Sequence, residues 1–113
     1  MDKELTPQDV ERYKAIEAFD RIIENRDNFY NEKEIEKIRY PLVQIFKMFD
    51  NMFISMHVSR RKIKKKFLLD FDYLEKTIKT SKTKEELLAF YDRFYDLSVE
   101  MKKGILKITS LKR

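Results

Sequence analysis

Apolar residues recur along this chain at steps of three and four, the spacing of one helix face rather than the alternation of a strand. The clearest run is Ile35, Ile38, Leu42, Ile45, Phe49, Met52 and Met56. It crosses Pro41 in register, which predicts a helix over about 32–57, kinked where the proline removes one backbone hydrogen bond. An earlier run of Val10, Tyr13, Ile16, Phe19, Ile23 and Tyr30 predicts a helix over about 7–29. Between His57 and Lys62 only Val58 is apolar, and the pattern resumes in a shifted phase as Ile63, Phe67, Phe71, Leu74 and Ile78. One helix over 42–79 would be about 57 Å long against about 35 Å for the first. A break near 57–61 removes that mismatch and leaves a third helix over about 60–79. No Gly or Pro marks the break, so a three-helix form containing one long helix, 42–79, stands as the alternative. The final run, Leu87, Tyr91, Phe94, Ser98, Met101, Ile105 and Ile108, predicts a fourth helix over about 84–109.

Local chemistry supports these starts. Thr6 precedes Pro7 and Asp9, Asn31 stands three before Glu34, and Thr83 stands three before Glu86, each the pattern of a capped helix N-terminus. Short connections make successive helices antiparallel neighbours, so the expected fold is all-α, an antiparallel up-down four-helix bundle in a single domain spanning 1–113. A chain of 113 residues that is 42% hydrophobic can fill one such core. One Gly and two Pro leave little turn chemistry for β-hairpins or a glycine-rich phosphate loop. The absence of Cys removes disulfides and thiolate metal sites. Met1-Asp2-Lys3-Glu4 lacks the apolar run of a signal peptide, and the most apolar stretch, 40–59, is interrupted by Lys47 and Asp50. A cytoplasmic protein with no membrane contact is expected.

Charge changes the picture more than composition does. Residues 60–66 hold six cations in seven positions, and residues 101–113 add Lys102, Lys103, Lys107, Lys112 and Arg113 with no acid among them. Residues 1–36 carry 11 acids against 6 bases, whereas residues 37–113 carry 9 against 19. An up-down bundle would bring the start of helix three beside the end of helix four, gathering these cations at one end. Clustered Lys and Arg bind phosphate through counterion release and need no exact geometry, so the expected partner is DNA or RNA, bound without regard to sequence. The candidate residues are Arg60, Arg61, Lys62, Lys65, Lys66, Lys102, Lys103 and Lys107. An ordinary solvated face has the same composition, with Lys66 pairing to Asp70 four residues on.

Helix four is apolar around about two-thirds of its circumference, more than a bundle corner buries. Tyr95, Val99 and Leu106 flank the seam on one side, and Phe90, Leu97 and Leu111 on the other. Such a helix lies centrally in the fold or is covered by a protein partner, most simply a second copy. Catalytic constellations are missing. His57 has no Cys to partner, and Ser55 faces another way on the same helix. The residue three before His57 is Ile54, so the Glu-x-x-His of a di-metal bundle is absent. Asp92, Asp96 and Glu100 span about 12 Å of one helix face, too far to hold one ion. Met48, Met52 and Met56 read as core filler. The sequence thus points to a non-catalytic helical accessory or adaptor protein, without cofactor, metal or small-molecule substrate. It would bind nucleic acid at a basic end and protein through helix four. The alternative is a purely protein-binding homodimeric scaffold or regulator of a larger machine.

Overall fold

The computed structural model describes residues 6–111 and, within them, every side chain except those of Gln8 and residues 107–111. All regular structure among the described residues is helical: α1 (Pro7–Glu24), α2 (Arg26–Asn31), α3 (Ile35–Met56), α4 (Arg60–Phe67), α5 (Leu74–Thr80) and α6 (Lys84–Leu111). No helix among them is long and apolar enough to cross a membrane.

The N-terminal capping box forms as its residues dictate. The Asp9 amide donates to the Thr6 hydroxyl at 3.1 Å, and the Thr6 amide donates to the Asp9 carboxylate at 3.2 Å. The expected 7–29 helix is interrupted at Asn25, whose side-chain amide donates to the Arg21 carbonyl at 2.7 Å, and resumes as α2. Asn31 ends α2 instead of capping the next helix, which starts at Ile35 behind Glu34. The reason is tertiary: Phe29 stacks on Tyr91 with centroids 4.3 Å apart, and the Tyr30 hydroxyl donates to Asp92, so α2 is held helical against α6 to its last residue.

Helix α3 runs through Pro41 and stops at His57 in a Schellman turn. The Val58 amide donates to the Phe53 carbonyl at 2.9 Å, the His57 amide donates to the Ile54 carbonyl, and His57 takes the left-handed conformation at φ 55°. Histidine is one of the few non-glycine residues that enter this region with some frequency, which is how a helix ends here without a glycine. Ser59 then caps α4, its hydroxyl accepting from the Lys62 amide. The single 42–79 helix is therefore replaced by a break at 57–59.

The expected third helix, 60–79, is itself two helices. Leu68 adopts φ 59°, its amide donating to the Lys64 carbonyl at 2.9 Å in a left-handed cap, and residues 68–73 form a loop. Leu69 and Phe71 would point to opposite sides of a helix, but the loop turns both into the core. Phe71 lies 5.0 Å from Phe53, 5.5 Å from Phe46 and 6.4 Å from Phe94. Burying two large side chains in place of one is what the break gains. In place of the four helices expected there are six among the described residues: three long, α1, α3 and α6, and three short, α2, α4 and α5.

Helix α6 is central, packing on α1, α2, α3 and α4, while α3 also packs on α5. Thr83 caps it, accepting from the Glu86 amide at 3.2 Å. Its inner row is Leu87, Tyr91, Phe94, Leu97, Ser98 and Ile105, and the buried Ser98 hydroxyl donates to the Phe94 carbonyl. Facing it, α3 buries Ile38, Leu42, Phe46, Phe49 and Phe53, which turns Ile45, Met48 and Met52 half outward and leaves Met56 exposed. Phe49 joins the three long helices, stacked 5.8 Å from Phe19 of α1 and 5.6 Å from Phe94 of α6. Phe49→Ala is therefore expected to cost about 3–5 kcal/mol in chemical denaturation, by cavity formation and loss of both stacks. A neutral result would place Phe49 outside the core.

Candidate nucleic-acid interface

Ile63 is buried and Phe67 half-buried, which fixes the roll of α4 and sends its six cations outward in three rows. The row of Arg60 and Lys64 faces acids. Arg60 pairs with Asp50 of α3 and, at 3.2 Å, with Asp72, while Lys64 pairs with Asp70 at 3.2 Å, so the 68–73 loop folds back along this side. In the row of Lys62 and Lys66, Lys66 reaches Glu100 of α6 at 2.8 Å and lies 5.5 Å from the Phe67 ring centroid, while Lys62 stays exposed. The third row, Arg61 and Lys65, points to solvent. Arg61, Lys62 and Lys65 are exposed and have no ion pair among the described residues. A hollow of about 420 Å³ opens beside the outer row, lined by Arg61, Lys64, Lys65, Leu68 and Asp70.

The cations of α6 divide. Lys102 points away from α4 and pairs with Asp20 of α1, so it is tied into the α1–α6 contact. Lys103 is exposed near Glu100, and Lys107 lies outside the described side chains. The hydrogen bond from Lys66, then its charge and that of Lys103, hold the Glu100 carboxyl below the usual carboxylate range. Lys66 and Lys103 thus share one acid, and α4 adjoins α6 at Glu100.

The flanks of α6 are largely spent inside the fold. Leu97 has no accessible surface, and Phe90, Tyr95 and Val99 are half-buried. The Arg26 guanidinium sits 5.4 Å over the Tyr95 ring and that of Arg93 sits 5.6 Å over Phe90. Leu106 remains exposed, and Leu111 lies outside the described side chains. The central position of α6 accounts for its wide apolar arc, and Leu97 belongs to the core instead of a surface. Asp92 and Glu100 are engaged by Tyr30 and Lys66, and among the described residues no three His, Asp or Glu come together as a metal-holding group. Asp92 raises the Tyr30 phenol by accepting its hydrogen bond, and burial pushes Tyr91 up to about 12, with its hydroxyl donating to the Ile22 carbonyl. These tyrosines tie α1 and α2 to α6.

One surface had no single signal in the sequence. Because α1 and α3 meet mainly through Phe19 and Phe49, a groove runs between them, a hollow of about 710 Å³ joined at Ala18 and Met48 to one of about 420 Å³. Its α3 wall, including Gln44, Ile45, Met48, Asn51, Met52 and Ser55, carries no charge, in a chain that is 40% charged. The methionine row read as core filler forms that wall.

No protein-family model matches the sequence, and comparison with curated proteins and with solved structures gives no match.

The Lys66–Glu100 pair has a pH signature. The folded value of Glu100 lies below its unfolded value, so the pair's contribution is present above the ordinary carboxylate range and is lost as pH falls through the depressed value. Carboxyl-carbon NMR titration is expected to give Glu100 a midpoint below that of an ordinary glutamate and to raise it in Lys66→Gln. A midpoint unmoved by the substitution contradicts the pair.

Proposed function

We propose that this protein is a non-catalytic nucleic-acid-binding accessory protein that contacts phosphates through α4, aided by Lys103 and Lys107 of α6. The observation that carries the reading is the group of exposed cations, Arg61, Lys62 and Lys65, without acid partners among the described residues. Ion pairs inside the fold already engage Arg60, Lys64, Lys66 and Lys102, so these add positive potential but fewer open donors. A partner that accepts exposed cations at several points is a polyanion, and the binding is sequence-independent because clustered charge recognises the phosphate backbone common to every sequence. The adaptor half of the reading needs a protein partner, and the α1–α3 groove suits it better than the flanks of α6.

A second reading is favoured by that groove alone. Here the chain is a homodimeric scaffold without nucleic-acid contact, paired groove to groove. The uncharged α3 wall fits the charge depletion of interface cores.

Fluorescence anisotropy with labelled oligonucleotides separates the two. For three phosphate contacts the affinity is expected to fall about twentyfold on single strands and about fortyfold on a duplex between roughly 50 and 200 mM salt. The triple substitution of Arg61, Lys62 and Lys65 by Glu should abolish binding with helicity and melting unchanged. Absence of binding at low salt by folded protein, together with a dimer in light scattering that Met48→Glu dissolves, would establish the scaffold instead.

A further inference from the structure

We propose that Leu68 is the apolar contact of the basic site, packing against a base of a single-stranded nucleic acid whose phosphates meet Arg61 and Lys65. The inference rests on the nucleic-acid reading above and names the form of the ligand.

Leu68 is in a conformation that its side chain opposes. At φ 59° an L-residue brings its Cβ against the following carbonyl, which is why glycine or asparagine ordinarily holds a left-handed helix cap. The side chain recovers nothing from the core, being 67% exposed. The loop already has its anchors, since Leu69 and Phe71 are buried immediately after it. The inward turn of the loop accounts for the left-handed backbone but not for an exposed leucine holding it, and that side chain points to a contact outside the chain.

Its surroundings specify that contact. Arg61 and Lys65, one turn apart on α4, line the same hollow as Leu68, the residue that caps the helix, so two cations and an apolar group meet at one place. That hollow, of about 420 Å³, adds Lys64 and the Asp70 carboxylate. Lys64 already pairs with Asp70 there at 3.2 Å, so the hollow holds an acceptor beside its donors. A base edge uses both, its ring N–H and amino groups donating to the carboxylate while its flat face covers Leu68. The phosphates then lie outside, over Arg61 and Lys65, about 6 Å apart along the helix. Bases in a duplex are stacked and present only their groove edges, whereas an unpaired strand lets one base turn out onto such a platform. Charge and apolar exposure together therefore favour single strands.

Leu68→Gly removes the side chain and relieves the backbone in one step, so folding and binding move in opposite directions. The expected result is an unchanged or raised melting temperature with about a tenfold loss of affinity for oligo-dT at fixed salt. The slope of log affinity against log salt should stay as in the wild type, since an apolar contact releases no counterions. Leu68→Phe should retain or improve affinity, and affinity for a duplex of equal length should be the same in all three proteins. Wild-type affinity for oligo-dT in Leu68→Gly, or an equal loss on the duplex, overturns the proposal and leaves the electrostatic reading standing. Failure of the wild type to bind any oligonucleotide overturns that reading as well. Should the wild type instead sediment with phosphatidylserine vesicles and Leu68→Gly not, the leucine is a membrane contact and the proposal is wrong.

Discussion

The stack of Phe19, Phe49 and Phe94 is the constraint on which the rest of this fold depends. Phe49 lies between the other two, with centroids 5.8 and 5.6 Å away, and each ring comes from a different long helix. Offset aromatic pairs contribute about 0.5–1.5 kcal/mol each beyond their buried area, so this contact sets the spacing of α1, α3 and α6. Phe71 then joins the cluster against Phe46, Phe53 and Phe94, which draws the 68–73 loop inward and forces α4 to end at Leu68. Packing of this kind is non-directional in its driving force but specific in its geometry, and here it dictates where the charged helix can lie.

The electrostatic consequence follows from the roll of α4. With Ile63 held inside, one cation row meets the acids of α3 and the loop, one meets α6, and one meets solvent. A uniformly basic segment thus becomes a site with an inner, neutralised side and an outer, open one. The paired side fixes the helix to the body at modest cost in charge. The open side keeps Arg61, Lys62 and Lys65 available to an anion, and the exposed Leu68 gives that side an apolar edge.

Much of this was legible in the sequence. The all-helical class, the caps at Thr6 and Thr83 and the buried positions Leu87, Tyr91, Phe94, Ser98 and Ile105 of α6 follow from spacing and local hydrogen-bonding groups alone, whereas Leu97, expected at a partner surface, lies in the core. The break after α3 was readable only as a lapse in the apolar pattern, because its left-handed residue is His57 and not a glycine. The split of the third helix was not readable. Phe67, Phe71, Leu74 and Ile78 keep helical spacing through a segment that is a loop, and only the tertiary burial of Leu69 with Phe71 decides against the helix. Side-chain partners were equally hidden: Lys66 pairs with Glu100 on α6 instead of Asp70 four residues on, and Lys102 turns to Asp20 on α1. The α1–α3 groove has no signature in the sequence, because Ile45, Met48 and Met52 carry the spacing of core residues and periodicity does not tell a buried stripe from one left half open.

The most direct test of the account is an amide chemical-shift map recorded while a short oligo-dT is added at low salt. The account predicts shifts concentrated at Arg61, Lys62, Lys65 and Leu68 and around Lys103, with the α1–α3 groove residues Ala18, Met48 and Met52 undisturbed. Shifts centred on the groove, or none at all, would contradict it.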